Sequence, residues 1–65
     1  MEWYNFETMF ASLKDILLKY LYNNNISFEL SKDNEYYHFE ILTDAAGAAA
    51  INYLLDNNET SAEAK

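Results

Sequence analysis

A chain of 65 residues with 11 acidic side chains, four lysines and no arginine carries a formal charge of −7. Phosphate-binding surfaces need lysine and arginine clustered on one face, so direct binding of DNA, RNA or an anionic membrane is excluded. Cysteine is absent, and histidine and glycine occur once each, which removes disulfides, thiolate metal sites, Cys-His catalysis and glycine-rich phosphate loops.

Half of the residues are hydrophobic, at 51%. That is enough for one small domain, at a size where a partner subunit commonly supplies what a small core cannot. No stretch approaches the roughly 20 apolar residues of a membrane span. Glu2 precedes the first apolar residues and no lysine does, so no secretion signal is read and a cytoplasmic protein is expected. Asn58-Glu59-Thr60 matches a glycosylation acceptor, but without such a signal it is taken as coincidence. The Asn, Tyr and Ile usage resembles that of an AT-rich genome.

Phe6, Met9, Phe10, Leu13, Ile16, Leu17, Tyr20 and Leu21 recur at steps of three and four, the stripe of an amphipathic helix. The spacing predicts a helix over residues 5–22, with Asn5 as N-cap and Asp15 paired with Lys19. Asn23-Asn24-Asn25 ends it, because Asn tolerates the left-handed conformation that closes a helix. Trp3 is expected as a hydrophobic staple or, with Leu18, as an interface anchor.

Residues 26–42 alternate apolar and polar on both sides of a polar centre, the pattern of a β-hairpin with one dry face. A two-residue turn at Asp33-Asn34 would pair Leu30 with Tyr37, Phe28 with Phe39 and Ile26 with Ile41. The opposite face would carry Ser27, Glu29, Ser31, Tyr36, His38 and Glu40, with Glu29 directly across from His38. Two carboxylates around one imidazole could ligate a metal or sense pH. An ordinary exposed charge pair is the preferred reading, and no metal site or cofactor is assigned.

Thr43 and Asp44 are candidate N-caps for a second helix. It opens on Ala45-Ala46-Gly47-Ala48-Ala49-Ala50, a run short enough in side chain to approach another backbone closely. Asp56-Asn57-Asn58 is expected to close it, leaving residues 59–65 as a disordered polar tail and 1–58 as the domain.

The expected fold is α+β, helix–hairpin–helix (αββα), with two helices on one face of a two-stranded antiparallel sheet that dimerisation would extend. Trp3, Leu18, Gly47 and Ala48 are the candidate dimer contacts. No nucleophile–base set is present and the chain is too short to enclose a usual cleft, so no enzyme is expected. The favoured function is an acidic inhibitor or modulator, of the kind phages and mobile elements encode, that occupies a basic surface of a protein partner, such as a nucleic-acid-binding one. Glu29, Asp33, Glu35, Tyr36, His38 and Glu40 would make the contact. The alternative is a homodimeric structural or adaptor module whose acidity serves solubility.

Overall fold

The computed structural model describes residues 1–63, with side chains through residue 58. The elements are β1 (Glu2–Thr8), α1 (Ala11–Asn23), β2 (Phe28–Asp33), β3 (Tyr36–Thr43) and α2 (Ala45–Glu63). The three strands form one antiparallel sheet in the order β1-β3-β2.

The two-stranded αββα arrangement expected above is therefore corrected to βαββα, still α+β. Residues 2–8 make the difference. Trp3, Tyr4, Phe6 and Thr8 are aromatic or β-branched, types that suit a pleated surface. Tyr4 and Phe6 are half-buried and Thr8 is buried on one side, while Trp3, Asn5 and Glu7 are exposed on the other. Phe6 fits both this period of two and the helical stripe through Met9 and Leu13. Pairing of all of β1 with β3, from Glu2 with Thr43 to Thr8 with Tyr37, resolves the ambiguity, since it satisfies an edge of β3 that a two-stranded sheet would leave open.

Helix α1 consequently starts at Ala11, not near residue 5. Its N-cap is Phe10, which makes no side-chain cap bond, and Asn5 lies in mid-strand. Thr8 Oγ1 accepts from the Phe10 N–H at 3.2 Å and fixes the strand-to-helix corner. Asp15 lies 3.0 Å from Lys14 Nζ rather than pairing with Lys19. The C-terminus closes as the Asn run anticipates. Asn25 adopts φ 54°, Ile26 N–H donates to Leu21 O at 3.0 Å and Asn25 N–H to Tyr22 O at 3.3 Å. This is the paired-bond motif that ends a helix on a left-handed residue.

The hairpin keeps its expected faces and shifts its register by two residues. Phe28 pairs with Ile41, Leu30 with Phe39 and Lys32 with Tyr37. The turn is Asn34-Glu35, one residue later than expected, with positive φ (56°) at Asn34 and not at Glu35. A primed hairpin turn can place its positive φ at the first central residue alone, and there Asn tolerates it where Glu would not. A shift of two preserves every side chain's face, so the apolar alternation could not distinguish the two registers.

Leu13, Leu17 and Leu21 of α1, Ile51 and Ala48 of α2, and Phe39 and Ile41 of β3 are buried. Both helices thus cover the odd-numbered face of β3. Helix α2 starts on Asp44, whose Oδ1 accepts from Gly47 N–H at 2.8 Å, and runs through Glu63, past the stop expected at Asp56-Asn57-Asn58. The residues expected as a polar tail fall partly within α2 and partly, at Ala64 and Lys65, outside the described residues.

The uncovered sheet face as candidate functional site

Because the helices take one face, side chains of odd-numbered β1 and β2 residues and even-numbered β3 residues share the other. The register arranges them in rows across the sheet. Asn5, Glu40 and Glu29 form one row. Glu7, His38 and Ser31 form the next, and Tyr36 sits beside Asp33 at the hairpin end. Trp3 and Leu42 close the opposite end. Asn5, Glu7, Glu29, Ser31, His38 and Glu40 line a concave surface of about 850 Å³.

Glu29 is directly opposite Glu40, not His38 as the expected register had it. Two carboxylates in this position repel each other. His38 instead meets Glu7, with Nδ1 and Oε2 3.1 Å apart. The Glu29–His38–Glu40 cluster is accordingly not assembled, and among the described residues no group of three or more acidic or histidine side chains could hold a metal ion. Tyr36 tilts against His38, with ring centroids 6.4 Å apart. Glu35 lies in the turn between β2 and β3 and is not among the residues that line this concavity.

Among the described residues lysine is confined to the helix side of the sheet, whereas carboxylates lie on both sides. Glu7, Glu29, Asp33 and Glu40 are all exposed on the uncovered face, which carries no lysine among the described residues. Lys14 and Lys32 lie on the helix side, where their Nζ atoms stand 5.2 and 5.3 Å from the centre of the Tyr37 ring, within the range of a cation–π contact. The hydrogen bond to Asp15 holds the Lys14 ammonium above its usual range. Tyr4, also on the helix side, is raised by partial burial and then by the neighbouring Glu2 carboxylate, to which its hydroxyl donates at 3.3 Å.

The proposed dimer contacts are dispersed. Trp3 is 52% exposed at the end of the uncovered face. Leu18 packs against the core and Ala48 is within it. A side chain at Gly47 would collide with Thr43 Oγ1 of the same chain, so the close approach that glycine permits is internal. Sequence reasoning missed Asn5 and Glu7 as members of the face. The alternation Trp3-Asn5-Glu7 against Tyr4-Phe6-Thr8 is the signal that could have found them.

The fold and face define an α+β domain that presents one bare, acidic sheet surface. No protein-family model, no curated protein and no solved structure matches the chain. No helix among the described residues is long and apolar enough to cross a membrane.

Proposed function

We propose that the protein is a non-enzymatic binding module whose uncovered sheet face occupies a basic surface of a protein partner and thereby blocks or modulates it. The observation that carries this reading is a sheet face that gathers carboxylates with no lysine among its described residues. Glu7, Glu29, Asp33 and Glu40 share a face without lysine among the described residues, while strand alternation and the position of α1 put Lys32 and Lys14 on the other side, beside Tyr37. The Glu29–Glu40 juxtaposition costs folding stability, and a basic side chain from a partner would relieve it. Trp3, exposed at one end of the face, supplies the aromatic anchor that such interfaces favour.

The test is capture from a lysate of the source cells, with stepwise elution by salt. A basic partner retained by the wild type, released as salt screens the contact and not retained by the Glu29→Gln/Glu40→Gln variant is the expected result. Equal capture by the variant, or retention indifferent to salt, would sink the reading. The second reading, a homodimeric module, draws on exposed Trp3 and the outer edges of β1 and β2; a monomer in sedimentation at micromolar concentration would remove it.

A further inference from the structure

Strand β2 is the least covered part of the sheet. Among the described residues its only strand partner is β3, and five of its six residues are exposed. On its helix side Leu30 is 38% exposed, and Tyr22, 68% exposed, stacks edge-on against half-buried Phe28 at 5.5 Å. Leu42 N–H donates to Ser27 O at 3.0 Å, which makes Ser27–Leu42 a hydrogen-bonded position of the ladder. Alternation then directs the backbone groups of Glu29, Ser31 and Asp33 toward β3, and the N–H and C=O groups of Phe28, Leu30 and Lys32 outward. The edge therefore offers main-chain donors and acceptors between an apolar strip on one side and carboxylates on the other.

We infer that β2 is a docking edge for an extended segment of a basic partner, which adds as a fourth strand. The inference rests on the binding reading above and specifies its geometry. A strand laid along β2 has side chains that alternate between the two faces of the sheet. Residues opposite Glu29 and Asp33 lie on the acidic face and are lysine or arginine. Those opposite Phe28 and Leu30 lie on the helix side and are apolar, covering Leu30 and Tyr22. The recognised segment thus alternates basic and apolar residues, with main-chain bonds supplying affinity and side chains specificity. A second copy of the chain is the poorer occupant, because it would extend the sheet with another acidic face and place both carboxylate clusters on one surface.

The probe is a fluorescent peptide of alternating lysine and valine, with two controls of the same composition and charge. One sorts the lysines and valines into blocks; the other keeps the alternation and is N-methylated at every second amide. Expected is binding of the alternating peptide at least about tenfold tighter than either control, a difference of about 1.4 kcal/mol. Leu30→Pro should abolish that preference, since it removes an outward-facing donor at an edge where proline is tolerated; circular dichroism checks that the variant folds. If that variant is unfolded, N-methylation of the peptide alone decides. Equal binding of all three peptides would overturn strand addition while leaving the charged-face reading intact. No binding up to millimolar peptide would overturn it as well. A dimer in sedimentation that Leu30→Pro dissociates would give the edge to a second copy and also overturn the proposal.

Discussion

Phe39 and Phe28 carry the same ring at equivalent alternating positions, yet they should not respond alike to truncation. Phe39 is 1% exposed at the centre of the core, whereas Phe28 is half-buried on an edge strand. Phe39→Ala should cost about 3 to 5 kcal/mol, a large part of the stability available to a domain of this size. Phe28→Ala should cost clearly less, and chemical denaturation of the two variants measures the difference. Tyr4 makes a separate prediction at high pH. Its folded-state value is raised, so the folded state holds the phenol proton more tightly than the unfolded chain does. Stability from this source is present below the ordinary tyrosine value of about 10 and falls as pH rises from there toward the folded-state value. Lys14, also raised, acts in the same direction: its contribution is present below the ordinary lysine value and is lost as pH rises through the folded-state value. Thermal melts between pH 8 and 11 should show a decline that Tyr4→Phe makes shallower.

Four of the five elements were legible in the sequence, but of their ends only those set by a local device were; the start of α1 and the stop of α2 were not. The Asn run predicted the stop of α1, and Asn25 takes the left-handed conformation that stop requires. Asp44 was one of two candidate caps and makes the bond to Gly47 N–H. Both devices are local and involve a few consecutive residues, which is why sequence suffices for them. Asn25→Ala should lower stability by about 1 to 2 kcal/mol through left-handed strain, while Asn25→Gly should be nearly neutral. Gly47→Ala should destabilise despite alanine's better helix propensity, because its methyl group meets Thr43 Oγ1. Urea denaturation of the three variants checks these signs. Strand β1 was illegible for the opposite reason. Phe6 satisfies two periods, and the choice between them is made by β3, more than thirty residues away in the chain. The same distance hid the Glu7–His38 contact and half of the candidate face, whereas the hairpin alternation placed Glu29, His38 and Glu40 together on one side in either register.

At the scale of the whole molecule, folding and the proposed binding make opposite demands on charge. A formal charge of −7 on 65 residues disfavours the compact state by self-repulsion, and the Glu29–Glu40 position concentrates part of that repulsion in one cross-strand pair. Salt screens exposed charges, with a Debye length of about 10 Å at 0.1 M. Raising salt should therefore increase the melting temperature of the free protein while weakening its complex with a basic partner. Glu29→Gln should act like a local dose of salt. It should stabilise the fold by a few tenths of a kcal/mol, the scale of a cross-strand like-charge pair, and reduce partner affinity. If the acidity served solubility alone, the same substitution would leave affinity unchanged. Melting curves and binding titrations of wild type and variant across a salt series measure both signs on the same samples. A variant that is both more stable and weaker in binding would mark the carboxylate row as a surface held at the expense of the fold for the sake of its partner.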